Sequence, residues 1–503
     1  MVSRHFFLLF PLLTLRALGE PVDFSCPTAD ITEGIGFFPK NQNTSQRFPA
    51  NYSCEIKFQI QDGYVVKFAL SAANLTDTGD SLIVADAKGK LMTYTDGVNL
   101  FFAPARTASV YITSKSGNAE FWFRYEYVFV SDLENVQLPT GSALKLFLAP
   151  TKTYTFTSPH DHVVLHLSSV AKMNDSWLLM IYVYDGIDVQ APYLGTLYEL
   201  VNSDATTRSS NSSLTLMNLY GVARFSWVLA NDYSAISSFS TYQFMAFDSN
   251  VDLSRNLSNL AGSAAYTFLC TDCTESYLTE LVLPDRGIEG QKVEFSPLTP
   301  TNNQKVLLTY KASDVTVFYM PQQIPGTLFT MILKAPEVSL KLSASSPILW
   351  KFPFDGRKGT IFSPSLWQPG QGTAAYNHTF ESSYTMTFSF NLQSVVMSTA
   401  GEKILVRVGS SSGSATPFDT VFTKSVSNPG VRVANGTYMM ATYSGDSPQS
   451  SSILTFEMKG GPGGPSGAST TVAGQVETTT KTARTIASSA VIFFTALLSL
   501  SLI

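Results

Sequence analysis

The sequence predicts an all-β protein built from several β-sandwich modules in tandem and ending in a flexible stalk. No long segment shows the 3.6-residue apolar period of an amphipathic helix. Short apolar or alternating runs, rich in Val, Thr, Phe and Tyr, are interrupted by Gly, Pro, Asn, Asp and Ser, as in β-sandwiches. The 503 residues, 44% of them hydrophobic, suffice for about three to four domain cores.

The composition excludes several classes of function. With 33 basic and 38 acidic residues, the chain lacks the basic surplus with which nucleic-acid binders neutralise phosphates. Four cysteines are too few for a disulfide-dense scaffold or for most Cys-rich zinc proteins. Five histidines leave little material for histidine-based catalysis. We therefore predict no catalytic residues, no metal site, no cofactor and no nucleic-acid partner.

The first residues are typical of a secretory signal peptide. The apolar run Phe6–Leu15 follows a basic start and is too short for a bilayer, which needs roughly 20 residues. Ala17 and Gly19 place small residues at the −3 and −1 positions of a cleavage site. The pattern predicts export and removal of residues 1–19. The alternative is an uncleaved anchor.

The last residues are typical of a glycosylphosphatidylinositol (GPI) attachment signal. Residues 486–503 are apolar and carry no charge, and a polar, threonine-rich spacer precedes them. The attachment residue is predicted at Ser466 or, with a shorter spacer, at Ala473. Residues 460–485, rich in Gly, Pro, Ser and Thr, are predicted to form a flexible stalk. The alternative is a true C-terminal membrane helix.

Export gives meaning to the eight N-x-S/T sequons of the chain. Each acceptor asparagine should lie on a solvated loop or strand face, because a glycan cannot be buried. The predicted N-glycosylation sites are Asn43, Asn51, Asn74, Asn174, Asn211, Asn256, Asn377 and Asn435.

A faint internal repeat divides the central part of the chain. A β run, a polar connection and a second β run occur near Tyr64, His162 and Tyr384. The spacing indicates modules of about 100 residues. The predicted modules are 20–131, 132–252, 253–356 and 357–459, of which 253–356 fits the repeat least well.

Five aromatic residues alternate with other residues near the end of the first module. The alternation places them on one face of a sheet, and we interpret that face as core rather than as a ligand platform. They are Phe121, Phe123, Tyr125, Tyr127 and Phe129.

The first module also carries a more specific pattern. Cys26, the segment Phe48–Ile60 with Cys54, and the D-x-L-x-V-x-D-x-x-G turn at Asp80–Gly89 follow each other within residues 24–130. In these features the module resembles the nematode CUB-like domain family, extracellular jelly-roll-type β-sandwiches related to CUB domains. The resemblance implies a disulfide between Cys26 and Cys54. It also implies a surface protein associated with innate defence against bacteria.

The sequence departs from the CUB pattern in two ways. The second cysteine pair is absent, and Leu70–Asn74 lacks the acidic residue that many CUB domains use for calcium. Asp80 and Asp86 remain, but two carboxylates make a weak site for an ion that takes six to eight oxygens. We therefore predict no calcium site of CUB affinity.

Two other motifs could carry chemistry. Cys270 and Cys273 form a C-x-x-C pair, which in an exported β-rich chain we interpret as a small-loop disulfide rather than a redox dithiol. His160, Asp161 and His162 could hold a metal or orient a base, but an exposed polar turn is the preferred interpretation.

These features together predict a non-enzymatic, GPI-anchored glycoprotein on the extracellular face of the plasma membrane. We expect it to act in surface recognition or innate defence by binding an extracellular protein, a glycan or a microbial surface. One alternative is a secreted hydrolase or redox enzyme that uses the two motifs above. Another is a passive structural component of a surface coat.

Overall fold

The computed structural model describes residues 22–461, except 76–78, 90, 95–96, 105, 170–175, 203–206, 222–225, 260–261, 285–287, 346–347, 412 and 414–415. Several predicted features lie outside the described residues: the signal peptide, Asn174, Ser466, Ala473 and the apolar segment 486–503. The described chain forms two compact units that divide between Asp132 and Leu133. Both units consist almost entirely of β-strands, which confirms the predicted fold class.

The first unit is a sandwich of two antiparallel sheets. Its strands are β1 (Ile35–Phe38), β2 (Gln46–Arg47), β3 (Tyr52–Gln59), β4 (Tyr64–Ala73), β5 (Ser81–Ala85), β6 (Leu91–Tyr94), β7 (Gly97–Pro104), β8 (Thr107–Ser114) and β9 (Glu120–Phe129). One sheet has the order β3-β8-β5-β6 and the other β1-β9-β4-β7, with β2 paired to β9. Ile31 adds a parallel bridge to Phe58 of β3.

Alternating side chains from the two sheets fill the core of this unit. Cys54, Ile56 and Phe58 of β3 point inward, as the period of two requires. Phe121 and Phe123 of β9 are fully buried, while Tyr125 and Tyr127 pack against the edge of the same core, so the interpretation of this face as core holds for these four aromatics. It is wrong for Phe129, which is 45% exposed because the core has ended at this last residue of β9.

The second unit begins with two further sets of strands. The first set is β10 (Glu134–Pro139), β11 (Ala143–Lys145), β12 (Lys152–Thr157), β13 (Val163–Ser169), β14 (Tyr182–Tyr184), β15 (Tyr193–Thr196), α1 (Leu197–Asn202), β16 (Ser213–Met217), β17 (Ser226–Asp232) and α2 (Tyr233–Ile236). The next is β18 (Thr241–Phe247), β19 (Leu253–Ser258), β20 (Ala264–Cys270), β21 (Ser276–Val282), β22 (Lys292–Pro297), β23 (Leu308–Lys311), β24 (Gln322–Ile324), β25 (Leu328–Lys334) and β26 (Glu337–Ser343).

The last set of strands forms one seven-stranded sheet. It comprises β27 (Lys358–Phe362), α3 (Pro364–Trp367), β28 (Tyr376–Val396), β29 (Lys403–Gly409), β30 (Phe418–Phe422), β31 (Val426–Ser427), β32 (Arg432–Ser444) and β33 (Ser451–Lys459). Short 3-10 helices lie at Ser176–Met180, Pro300–Asn302, Thr316–Phe318 and Ile348–Lys351.

The strand connectivity of the first unit recurs in the second. The order β3-β8-β5-β6 corresponds to β12-β16-β14-β15 and to β20-β25-β22-β23. The order β1-β9-β4 corresponds to β11-β17-β13 and to β19-β26-β21. The parallel contact of Ile31 corresponds to the parallel strands β10 and β18. Three sandwiches therefore share one connectivity, including the one whose sequence fits the repeat least well.

The seven-stranded sheet contains the same connectivity in a merged form. Its 21-residue strand β28 pairs with β32 near its start and with β33 and β31 toward its end, so it takes the places of β3 and β4 together. β27 pairs with β33 as β1 pairs with β9, and β32 pairs with β29 as β8 pairs with β5. The fourth module is thus a variant of the other three.

Strand pairing groups one segment differently from the sequence prediction. Thr241–Phe247 falls within the predicted module 132–252, yet it runs parallel to Ala264–Cys270 over its whole length. The repeat pattern consists of two β runs and the connection between them, so it does not define the module to which a strand before them belongs. We propose that the third module starts after Ile236.

A partly buried tyrosine connects the second and third modules. The hydroxyl of Tyr242 in β18 accepts a hydrogen bond from the Asn231 side chain (3.0 Å) and contacts the Thr267 hydroxyl at 2.7 Å. Its ring packs edge-on against His166 of β13, with 4.5 Å between ring centroids. Burial lowers the pKa of His166 to about 4, so this histidine is neutral in the folded protein at neutral pH.

A buried arginine connects the third and fourth modules. The guanidinium of Arg357 donates hydrogen bonds to the carbonyl oxygens of Pro321 (2.6 Å), Phe318 (3.2 Å) and Lys358 (2.6 Å). The central carbon of the guanidinium group lies 5.4 Å from the centre of the Trp350 ring. Burial lowers the pKa of Arg357 to about 10, and the group therefore keeps its charge at neutral pH.

We predict that Arg357→Met destabilises the second unit by about 3 kcal/mol, because buried carbonyl groups that lose their donors cost roughly 1–3 kcal/mol. Methionine keeps most of the side-chain volume, so the change isolates the lost hydrogen bonds. Urea unfolding monitored by tryptophan fluorescence measures the effect. The matched control is Arg255→Met, because Arg255 is exposed on β19. Equal stability of the two variants would contradict the prediction.

We also predict that His166 makes the second unit acid-sensitive. The pKa of this imidazole is 6.5 when unfolded and about 4 when folded, so the unfolded chain binds the additional proton between these values. The contribution of the neutral ring to the free energy of unfolding is complete above pH 6.5 and falls as the pH drops toward 4. One pKa unit corresponds to roughly 1.4 kcal/mol. Because the ring is partly exposed, we expect a total loss of about 2 kcal/mol, less than the full shift would give.

Unfolding curves at pH 7 and pH 4.5 test this dependence. His166→Gln should lose less stability between the two pH values than the unchanged protein, whereas His160→Gln, at an exposed position, should behave like the unchanged protein. His378 of the same unit also has a pKa of about 4, so part of the pH dependence should remain in His166→Gln. A loss of stability in His166→Gln equal to that of the unchanged protein would contradict the prediction.

Candidate functional site

The histidine motif of the second module forms a turn. The hydroxyl of Ser158 accepts hydrogen bonds from the backbone N–H groups of His160 (3.2 Å) and Asp161 (3.0 Å). A carboxylate oxygen of Asp161 accepts one from the backbone of Ser234 (2.7 Å). His160 is exposed, and His162 packs against an aromatic ring. In the described part of the chain, no three His, Cys, Asp or Glu side chains are grouped as metal ligands.

The four cysteines form two disulfides, as expected. Cys26 pairs with Cys54, with 5.6 Å between the Cα atoms, and this bond ties the segment before β1 to β3. Cys270 pairs with Cys273 across 5.8 Å and closes the turn that follows β20. The second bond precedes Glu275, which stands at the start of β21.

Asp80 and Asp86 serve the backbone of the first unit. A carboxylate oxygen of buried Asp80 accepts hydrogen bonds from the N–H groups of Lys115 (2.6 Å) and Ser116 (3.1 Å). Burial raises the pKa of Asp80, but the hydrogen bonds from Ser116 and Lys115 outweigh it and hold the pKa below its ordinary value. Asp86 accepts a hydrogen bond from the N–H group of Lys88 (2.9 Å). Both carboxylates therefore hold turns.

The seven sequon asparagines among the described residues are all exposed. Their positions range from turns, such as Asn211, to strand faces, such as Asn256 on β19 and Asn377 on β28. Glycosylation of these residues stays a prediction.

A cavity of about 270 Å3 lies within the second unit, where the third and fourth modules meet. We call it the junction cavity. Aromatic rings and polar side chains alternate around it. Its lining includes Glu275, Gln323, Trp350, Lys351, Tyr376 and His378.

The surrounding elements place these side chains through local strand geometry. Glu275 follows the disulfide turn, Gln323 is the middle residue of β24, and Trp350 belongs to the 3-10 helix before β27. Tyr376 and His378 occupy alternate positions at the start of β28, so both point to the same, buried side of the sheet.

Three buried polar atoms around the cavity have no hydrogen-bond partner among the described residues: Gln323 Oε1, Trp350 Nε1 and His378 Nδ1. The side chains of these residues are at least nine-tenths buried. A buried polar atom without a partner costs roughly 1–3 kcal/mol, so such atoms are rare in native proteins. Three residues that line this cavity therefore each carry one such atom, as do other residues elsewhere in the described part of the chain.

His378 is held as a neutral ring. Burial, and secondarily the charge of Lys351, lower the pKa of His378 to about 4. The ring stacks on Tyr376 at 5.7 Å between centroids and meets the edge of Trp350 at 6.0 Å. A neutral imidazole carries its proton on either nitrogen, so Nδ1 can donate or accept a hydrogen bond to a ligand.

Glu275 is already partly engaged. Its carboxylate accepts hydrogen bonds from the hydroxyl of Tyr277 and from the side-chain amide of Gln323. This arrangement fixes the Gln323 side chain, whose oxygen has no partner among the described residues. Among the residues that line the cavity there is no serine, threonine or cysteine, the usual nucleophiles of covalent catalysis.

No sequence pattern indicated this cavity. Its residues come from four separate segments, around positions 275, 323, 350 and 377, and none of these segments carries a recognised motif. The nearest signal was the C-x-x-C pair, which closes the turn before Glu275. The motifs that the sequence did single out, at His160–His162 and Asp80–Asp86, are not part of the cavity lining.

Comparison with known proteins assigns the first unit. Residues 22–131 match the family model of the CUB-like domain. Among curated proteins, no sequence matches this chain significantly. Within the described ranges, no helix is long and apolar enough to cross a membrane.

Solved structures show only distant likeness. The CUB1-EGF-CUB2 domains of rat MASP-1 are 10% identical, cover 63% of this chain and 99% of their own, and give a TM-score of 0.18. The corresponding human MASP-1/3 domains are 12% identical and cover 39% and 100%, with a TM-score of 0.17. The full extracellular region of zebrafish Gpr126/Adgrg6 is 10% identical, and the match covers 87% of this chain and 53% of the zebrafish chain, with a TM-score of 0.18. Scores this low carry no argument about the whole chain.

The assignment of the first unit therefore depends on its sequence match and on its own strands. CUB-like domains are extracellular recognition modules. The two sheets of the unit and the bond between Cys26 and Cys54 are those that the resemblance implied. Residues 22–131 therefore resemble a CUB-like domain.

Proposed function

We propose that this protein is a non-enzymatic, GPI-anchored glycoprotein of the extracellular face of the plasma membrane, which recognises glycans of microbial or other surfaces. The observation that carries the recognition function is the junction cavity with its three unpartnered buried polar atoms. The anchor is supported by the apolar segment 486–503 and the polar spacer before it. A role in innate defence is supported by the resemblance of the first module to the CUB-like domain family.

The cavity suits a small polyhydroxylated group. Its volume of about 270 Å3 lies just below the roughly 300–1,000 Å3 of pockets for drug-sized ligands. The lining includes the aromatic side chains of Trp350 and Tyr376, and a side-chain amide oxygen such as Gln323 Oε1 accepts hydrogen bonds whereas an indole N–H such as Trp350 Nε1 donates them. A single sugar ring presents both apolar C–H faces and hydroxyl groups that donate and accept. Among the expected partners, a glycan therefore fits this cavity best.

The alternatives find less support. The His160–His162 turn engages its own backbone, and the C-x-x-C cysteines are joined to each other. A passive coat component would have no use for unpartnered polar atoms around a cavity.

We predict saturable binding of sugars by a secreted form that lacks residues 486–503. The ligands are a panel of monosaccharides and intact bacteria, and tryptophan fluorescence reports binding because Trp350 lines the cavity. His378→Phe keeps an aromatic ring on Tyr376 but removes Nδ1, so it should weaken binding about tenfold, the factor for 1.4 kcal/mol.

The control for this measurement is His160→Phe, which changes a histidine of the exposed turn and should bind normally. Matching thermal unfolding of the variants excludes a folding defect. Absence of saturable binding to every sugar and to bacteria would contradict glycan recognition. Equal affinity of His378→Phe and the unchanged protein would remove the junction cavity as the site.

We predict that phosphatidylinositol-specific phospholipase C releases the native protein from membranes. Immunoblots of the membrane and soluble fractions measure the release. A chain that stops before residue 486 should be secreted without treatment, because it lacks the signal for anchor attachment. Protein that stays on membranes after treatment, in cells whose anchors are not inositol-acylated, would contradict the GPI anchor.

A further inference from the structure

A second hollow of about 440 Å3 adjoins the junction cavity on the fourth module. Lys351 and Asn377 line both. The remaining lining residues are Ile348, Phe352, Thr379 and Glu381. We call this hollow the Asn377 hollow.

The Asn377 hollow has an apolar floor that the described residues leave open to solvent. Ile348 is 86% exposed and Phe352 is 47% exposed. Single exposed apolar residues are common on proteins and need no explanation. Here two large ones line the same hollow, and a sequon asparagine stands beside them. The position of the acceptor is what distinguishes this patch from the other exposed apolar residues.

Asn377 and Thr379, the two residues that define the sequon, both line the hollow. They are alternate residues of β28, so they share the exposed face of the strand. The side-chain oxygen of Asn377 accepts a hydrogen bond from the hydroxyl of Thr442 on β32 (3.4 Å). This contact orients the side chain whose nitrogen receives a glycan.

We propose that the N-glycan on Asn377 packs its first sugars into this hollow, against Phe352 and Ile348. N-glycans begin with two N-acetylglucosamine units, a disaccharide of drug-like size, and the volume of the hollow lies in the range of pockets for such ligands. The C–H faces of the sugar rings cover the apolar floor. Lys351, Glu381 and Thr379 supply polar groups for the hydroxyl and acetamido groups.

The packed glycan has a structural role. Ile348 and Lys351 belong to the 3-10 helix before β27, whereas Asn377 and Thr379 belong to β28. A glycan attached to the strand and packed on the helix connects the two elements, next to the junction cavity. This proposal requires glycosylation of Asn377 but not a ligand in the junction cavity, so it can fail while glycan recognition stands.

The test uses the secreted form that lacks residues 486–503, produced in mammalian cells. Glycopeptide mass spectrometry first measures occupancy of Asn377. Peptide N-glycosidase F is then applied to the folded protein, and release is followed site by site. Because this enzyme must reach the first sugar, we expect release at Asn377 to be about tenfold slower than at Asn256, a factor that corresponds to 1.4 kcal/mol.

Asn256 is the matched control site. It is also an exposed residue of a strand, and its oxygen accepts a hydrogen bond from the hydroxyl of Ser339 on the neighbouring strand (2.7 Å). Asn256 lines neither the junction cavity nor the Asn377 hollow. Phe352→Ser, which keeps the Asn377 sequon, should raise the release rate at Asn377 toward that at Asn256.

Thermal unfolding gives an independent measurement. Asn377→Gln and Thr379→Ala both remove the glycan and should lower Tm by about 2–4 °C, whereas Asn256→Gln should change it by less than about 1 °C. Three results would overturn the proposal: an unoccupied Asn377, equal release rates at the two sites in the folded protein, or equal Tm values for Asn377→Gln and Asn256→Gln. The enzyme measurement needs no variant and stands if a variant fails to fold.

Discussion

The buried guanidinium of Arg357 is the interaction on which the geometry of the candidate site depends. Its hydrogen bonds to Phe318 and Pro321 reach the third module, while Arg357 itself directly precedes β27 of the fourth. The charge has no carboxylate partner among the described contacts and is neutralised by carbonyl dipoles instead. Its position beside Trp350 then fixes the ring that forms one wall of the junction cavity. A shift of this single group would move the cavity wall.

A second set of contacts makes the junction specific. The side-chain amide of Gln322 donates to the Thr360 carbonyl (2.7 Å), and its oxygen accepts from the Thr360 N–H group (3.0 Å). The side chain thus imitates a strand partner and satisfies both polar groups of one residue in the other module. Directional hydrogen bonds of this kind set one orientation of the two modules, which apolar contact alone would leave less defined.

The sequence was sufficient for features that depend on local patterns. Alternation placed Phe121 and Phe123 in the core, and the C-x-x-C spacing indicated the bond between Cys270 and Cys273. Features that depend on contacts between separate segments escaped it. The parallel pairing of Thr241–Phe247 with β20 leaves no mark in either segment, because the pairing is made by backbone groups. The junction cavity escaped for the same reason, since four segments meet only after folding.

The unpartnered atoms of the cavity show where stability was not the only requirement. If the junction served folding alone, apolar groups in place of Trp350 Nε1 and His378 Nδ1 would remove the cost of burying them. Two neighbouring side chains have partners: Tyr376 receives a hydrogen bond from Ser452, and the Glu275 carboxylate receives two. Buried polar atoms without partners depart from the usual requirements for a stable fold, and such departures are typical of functional sites. We therefore assign the proposed recognition to the junction between the third and fourth modules, whose residues carry no recognised sequence motif.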